Sequence, residues 1–309
     1  MTVTTSATDA EVSAAPRRST ARKLARQPNV VVGGLIVLLI ALLGIFAPVL
    51  GTKDPVENNP SFKLKKPGAE ATIRNDDGTK STYVHRLGTD SLGRDVWSRI
   101  AYGARVSLIV GVTVAVLSIS IGLVIGLIAG YVRWLDFIIM RIMDGLMAIP
   151  AILLAIALVS LFRKGSGLLP VIVAIVVPDI PRVVRLVRSV VLSVREEPYV
   201  EAAVISGTPT VKLIVRHILP NTVSPLIVQG TFIAAGAILV EAVLSFLGIG
   251  VSPDTPTWGN IMADGRTYFR IHPHLILYPG IVLALTVLAV NMLGDGLRDT
   301  LDPKMERRI

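Results

Sequence analysis

The chain has 309 residues, of which only 17% are charged, with a mean hydropathy of +0.65 and a formal net charge of +9. Soluble domains carry about 25% charged residues, so this composition excludes an ordinary soluble domain, and half the chain is too apolar for a nucleic-acid module. On a membrane protein, excess positive charge marks the cytoplasmic side. The absence of cysteine excludes a disulfide framework, a Cys-ligated zinc and a thiol nucleophile.

A membrane-crossing helix needs about 20 mostly apolar residues to traverse roughly 30 Å of hydrocarbon. Residues 1–28, rich in Thr, Ser, Ala and Arg, read as a disordered tail. The first span occupies 29–50 and is uncharged from Val30 onward. It is too long for a signal-peptide core and lacks a small-residue cleavage site, so it is expected to be retained.

A long loop follows over 51–103. Within it, Ala71-Thr-Ile-Arg74 and Ser81-Thr-Tyr-Val84 flank Asn75-Asp-Asp-Gly-Thr-Lys80 and predict a small hairpin. Thr89 or Asp90 is expected to cap an interfacial helix carrying Trp97 and Tyr102. That helix either only positions the next span or takes part in substrate access.

Residues 104–294 hold five further spans. The second, 106–131, is uncharged, and Gly111, Gly122, Gly126 and Gly130 allow close helix contact. The third, 135–162, carries Arg141 and Asp144, spaced to pair along one helix face. The fourth starts near Leu168 and is interrupted by Pro178-Asp179-Ile180-Pro181; Asp179 and Arg182 have the same pairing distance. The row Arg182, Arg185, Arg188 either attracts an anion or marks this helix emerging into cytoplasm. The fifth span, 222–250, contains one charge, Glu241, expected to contact cargo, hold an outer gate or, preferably, pair with an arginine of this or a partner subunit. The sixth, 275–294, is uncharged, and 295–309 is a tail. Before it lie His272 and His274, which lack the acidic company of a metal site.

Six spans put both termini on one side. Both tails and the stretch 182–220 are rich in Arg and Lys, whereas the two short outer loops hold Arg163, Lys164, Arg266 and Arg270. This bias places the termini in the cytoplasm, although the long loop 51–103 also holds many basic residues, and long loops are discounted in this rule.

Between the fourth and fifth spans, residues 195–221 form a polar stretch that cannot lie in lipid and must protrude as a handle. Pro198 suits a helix start, and Gly207 can turn the chain with positive φ at little cost. Thr208-Pro209 predicts the N-cap and first residue of a second short helix, and Pro220 is expected to stop it before the fifth span.

Glu201-Ala-Ala-Val-Ile-Ser-Gly207, followed by His217-Ile-Leu-Pro220-Asn221, resembles the EAA loop of ABC importer permeases, in the version of the dipeptide/oligopeptide/nickel branch. Three further stretches are similar to that family. Gly88-Thr-Asp90, Gly93-Arg-Asp95 and Ser98-Arg99 match the signature before the second span of its C-type subunit. Ser245-Phe-Leu-Gly-Ile-Gly250 with Pro256-Thr-Trp258-Gly-Asn260 matches its exit from the fifth span. Asn291-Met-Leu-Gly-Asp295-Gly-Leu-Arg298-Asp299 with Leu301-Asp-Pro303 matches its C-terminal signature. Arg185 and Arg188 stand at the family's Arg-x-x-Arg positions, while Ile180 and Val183 replace aromatic residues often found there.

The resemblance implies an all-α polytopic membrane protein of the type I ABC importer permease fold: six transmembrane helices and a small extracytoplasmic loop region after the first. It implies a transport subunit that forms half of a pathway for di- or oligopeptides, with nickel and glutathione as alternative cargo. Tyr199, Glu201, Ala202, Ala203, Gly207, Thr208, Pro209, Leu219 and Pro220 would dock an ATPase; Glu241, Asp179 and Arg182 are candidates for the pathway or gate. The implied partners are a second homologous permease, two ATPase subunits, an extracytoplasmic peptide-binding protein and the lipid bilayer, with no nucleic acid. The sequence has no Gly-x-x-x-x-Gly-Lys-Ser/Thr loop, so the chain is expected to bind no cofactor itself, ATP and Mg residing on the partner ATPases. Two rival classes are an ion-coupled secondary transporter using Asp179 and Glu241, which predicts inverted repeats, and a membrane enzyme, for which no nucleophile–base pair presents itself.

Overall fold

Long uncharged runs satisfy their backbone polar groups away from water only as helices or closed barrels, and here they become helices. The computed structural model describes residues 24–74, 80–161 and 167–301; most of the expected N-terminal disorder, the hairpin turn and the C-terminal tail lie outside them. Helix α1 spans Pro28–Ile45, α2 Val96–Tyr131, α3 Arg133–Met147, α4 Ala151–Leu161 and α5 Leu169–Arg195. Then come α6 Pro198–Ile205, α7 Thr210–Leu213, a π turn Ile214–Ile218, α8 Leu219–Phe246, α9 Trp258–Gly265 and α10 His274–Leu301. Strands β1 Ala69–Arg74 and β2 Lys80–His85 pair antiparallel with Ala71 opposite Tyr83, giving the expected hairpin.

Among the described residues, four helices are long and apolar enough to cross a membrane: α1, α2, the run Thr210–Phe246 and α10; a fifth is added if the bent pair α3–α4 is one span. The expected third span is therefore not straight. It bends by 90° between Met147 and Ala151, where Pro150 lacks an N–H and disfavours helix at the residue before it. The expected fourth span is α5, whose 27 residues are long enough but whose uncharged run is broken by Asp179, Arg182, Arg185 and Arg188. Pro178 and Pro181 do not interrupt it, contrary to the sequence reading; both sit inside one continuous helix.

The core forms where α5 lies along α2. A Cβ on Gly122, Gly126 or Gly130 would fall 2.5–2.7 Å from the Cβ of Val183, Val187 or Val191, so three bare turns of α2 receive a valine ridge of α5. All three valines are fully buried. Gly111 meets Ile238 of α8 in the same way.

At the opposite end of the bundle from 195–221, the loop after α1 folds over the start of α2. The cap of α2 is Asp95, which accepts from the Ser98 backbone N–H at 2.8 Å, in place of the predicted Thr89 or Asp90. Those two residues tie the loop instead. Thr89 accepts from the Lys65 N–H at 2.9 Å, and Asp90 holds Arg94 Nε at 2.6 Å. Arg94 reaches Asp264 of α9 at 2.5 Å, and Trp258 donates to the Ile100 carbonyl at 3.1 Å. These contacts hold α9 on α2.

Candidate functional site

The handle is built by local rules. Helix α6 starts with Pro198 in its first turn, where a missing N–H costs nothing. It ends in a Schellman motif: Gly207 N–H bonds the Val204 carbonyl at 3.0 Å and Thr208 N–H the Ala203 carbonyl at 3.1 Å. The motif requires a left-handed residue, and Gly207 has φ +75°.

The second half departs from expectation. Pro209 is the N-cap of α7 (φ −64°, ψ 145°), so the helix starts one residue later than predicted from Thr208. Nor does Pro220 stop the chain: the π turn Ile214–Ile218 runs into α8 and makes one rod of Thr210–Phe246. The wider turn leaves room where the Pro220 ring would otherwise meet a carbonyl one turn back.

Three apolar side chains root the handle. Val200, Leu213 and Ile218 are buried in the same cluster as Val187, Val191 and Val194 of α5. Asn221, at the base of α8, donates through Nδ2 to the Tyr199 hydroxyl at 3.1 Å and to the His217 carbonyl at 2.7 Å. The structure thus brings Tyr199, Leu219 and Pro220 to the root, and sets Glu201, Ala202, Gly207 and Pro209 on the open face with Ala203 and Thr208 half-buried beside them.

That face also carries a set the sequence reading did not single out. Ile205 is 86% exposed and Val211 75%, with Val204 and Val215 also open. The same loop carries Val200, Leu213 and Ile218, which are buried, so the sequence alone does not separate the outward apolar residues from those that root the handle. Contiguous exposed apolar side chains are a feature of surfaces that meet a protein or a membrane.

The intramembrane charges sort differently from their spacing. Asp179 and Arg182 pair at 3.2 Å, as expected. Arg141 and Asp144 do not: Asp144 takes Arg185 of α5 at 2.6 Å, and Arg141 lies over the Phe137 ring. Arg188 grips Asp136 with two bonds, 2.5 and 2.7 Å. Because α3 packs across α5, cross-helix acids reach these arginines, and the row is no open anion cradle. Glu241 is fully buried but meets no arginine among the described residues. One carboxylate oxygen accepts from the Ser245 hydroxyl at 2.7 Å and the other has no hydrogen-bond partner. No bond or ion pair links it to Asp179 or Arg182, so the three pathway candidates do not form one site.

Two other polar groups lie toward the far end. Asp95 bonds His85 Nδ1 at 2.8 Å and the Tyr83 hydroxyl at 3.2 Å. Burial, then the Asp95 charge, pushes the Tyr83 phenol up to about 12. The His272 and His274 rings stand 5.5 Å apart; among the described residues no group of three or more His, Asp or Glu could hold a metal.

Several long apolar helices packed into one bundle define an integral membrane protein, and the comparisons say of which kind. Residues 122–307 match the family model of the binding-protein-dependent transport system inner membrane component, and residues 16–67 match the N-terminal transmembrane domain of oligopeptide transport permease C. A probable peptide ABC transporter permease of Sinorhizobium fredii is 50% identical over 97% of this chain and 99% of its own length. The dipeptide transport system permease of Alkalihalophilus pseudofirmus is 42% identical (96% and 93%), and a glutathione transport system permease of Pectobacterium atrosepticum 41% (94% and 92%). A chain of the MetNI methionine ABC transporter, solved in inward-facing conformations, matches with a TM-score of 0.54 at 20% identity, covering 66% of this chain and 96% of that one; this likeness speaks to the fold.

The chain belongs to the family of binding-protein-dependent transport system inner membrane components: it is a permease subunit of an ABC importer, a multi-pass membrane protein and not itself an enzyme. Permeases of this kind work with ATPase and substrate-binding partners. This placement removes the secondary-transporter and membrane-enzyme readings.

Proposed function

We propose that this subunit forms half of a peptide pathway, and that its handle, 195–221, receives the ATPase from the cytoplasm. The observation that carries the docking assignment is the exposed set Val204, Ile205, Val211 and Val215 around Glu201 and Ala202. A partner groove approaches the low surface of Ala202 and Ala203, buries the aliphatic set, and anchors on Glu201 by a charge-assisted hydrogen bond. Gly207, Thr208 and Pro209 hold the turn; Tyr199, Leu219 and Pro220 pass its displacement into α8.

Peptide cargo is supported by the peptide and dipeptide names of relatives at 42–50% identity. A glutathione permease at 41% keeps that tripeptide as the second reading. The full assembly would pair this chain with a second permease, two ATPase subunits that hold ATP and Mg, and an extracytoplasmic peptide-binding protein. Six spans with both termini inside the cell follow if α3–α4 and α5 each cross the bilayer. The cleft of about 640 Å³ between α5, α8 and α10, lined by Leu186, Pro225, Gln229, Phe232 and Arg298, suits a path wall that the second permease completes.

Co-purification tests the reading. Ile205→Asp with Val211→Asp leaves the bundle intact and releases the ATPase subunits from gently solubilised membranes. Undiminished ATPase recovery would reject the docking assignment.

A further inference from the structure

Beneath the handle lies a recess of about 420 Å³ lined by Tyr131, Arg133, Arg195, Val204 and Leu213. Its walls come from four places: the end of α2, the start of α3, the last residue of α5, and the handle helices α6 and α7. We propose that this recess binds the phosphate group of an anionic membrane lipid, bracing the handle against α2 and α5.

The basic residues around it make the case by contrast. Arg182, Arg185 and Arg188 each hold a carboxylate, and Arg141 sits on an aromatic ring. Arg133 and Arg195 have no ion pair or side-chain hydrogen bond among the described residues, and Glu196 and Glu197, next in sequence to Arg195, do not pair with it. Two arginines lining one recess suit a phosphate, whose oxygens accept their planar N–H forks.

Depth selects the lipid. Trp134 and Phe137, on the first turns of α3, are each 69% exposed. Trp134 follows three residues after Tyr131, the last residue of the spanning helix α2; Trp and Tyr at the end of a span sit at headgroup level, and basic pockets at that level take anionic headgroups. Val204 and Leu213 belong to the handle, so the occupant touches the segment proposed to carry the ATPase. The regulatory consequence rests on that docking reading; the binding site does not.

The test uses the full chain in mild detergent without ATPase, so it fails or succeeds independently of docking. Phosphatidylglycerol and phosphatidylcholine are supplied in equal amounts, and retained lipid is counted by native mass spectrometry. The wild type retains phosphatidylglycerol preferentially; Arg133→Gln and Arg195→Gln each lower that retention about five-fold, and Arg216→Gln, on the handle outside the recess, leaves it unchanged. Millimolar inorganic phosphate does not displace the lipid. Equal retention by the double variant overturns the site, and displacement by inorganic phosphate overturns the lipid as its occupant. If the arginine variants fail to fold, Val204→Cys in this cysteine-free chain decides: a maleimide labels it more slowly with phosphatidylglycerol than with phosphatidylcholine, and equal rates refute the proposal.

Discussion

Asn221, at the base of α8, donates to the hydroxyl of Tyr199, in the first helix of the handle, across 3.1 Å. The bond joins the two ends of the handle, so that it moves as one body with the Thr210–Phe246 rod. Tyr199→Phe removes the acceptor and keeps the ring. One such bond is worth about 1 kcal/mol, so the ratio of joined to parted ends falls about five-fold. ATPase co-purifies as before, while peptide-stimulated ATP turnover in reconstituted vesicles drops several-fold; undiminished turnover would show that the tie transmits nothing.

Gly207 holds φ +75° with nothing within 4 Å of where a Cβ would stand. The cost of a substitution there is therefore backbone strain alone. Gly207→Val costs about 1–2 kcal/mol at this turn and weakens ATPase recovery, whereas Gly207→Asn, which tolerates the left-handed region, retains most of it. Pull-down yields from equal amounts of folded permease compare the two.

The order helix, Gly turn, helix was legible because it rests on short-range rules: a proline in the first turn, a glycine at positive φ. What escaped the sequence depended on neighbours far away in the chain. Arg141 and Asp144 are correctly spaced to pair, but Asp144 instead meets Arg185, 41 residues away, once α3 lies across α5. Pro178, Pro181 and Pro220 read as breaks, yet packing keeps α5 whole and a π turn carries the chain past Pro220. Pro150 was equally visible and does break its helix. Within this chain Glu241 bonds Ser245, one turn along its own helix, where an arginine of this or a partner subunit was expected.

The α2–α5 contact predicts a sharp contrast between two glycines. A Cβ on Gly126 would stand 2.7 Å from the Val187 Cβ, whereas at Gly145 of α3 nothing lies within 4 Å. Gly126→Leu overpacks the core and costs about 1–3 kcal/mol. Gly145→Ala is neutral or mildly stabilising, as for glycine in an open helix interior. Thermal unfolding in detergent checks both.

Tyr83 predicts an alkaline signature. Its phenol ionises near 10 when unfolded and is pushed up to about 12 in the fold. The folded state therefore binds more protons between those values, and stability is lost as pH rises from 10 to 12. Tyr83→Phe has no such proton to lose. Melting temperature against pH falls less steeply for the variant across that window, and parallel curves would contradict the assignment.

The central claim is that the exposed handle face is covered by the ATPase. The cysteine-free chain gives a direct measurement: Ile205→Cys, labelled by a membrane-impermeant maleimide in inside-out vesicles. Rapid labelling of the permease alone and strong protection when the ATPase subunits are bound is the predicted result. Equal labelling with and without bound ATPase would contradict it.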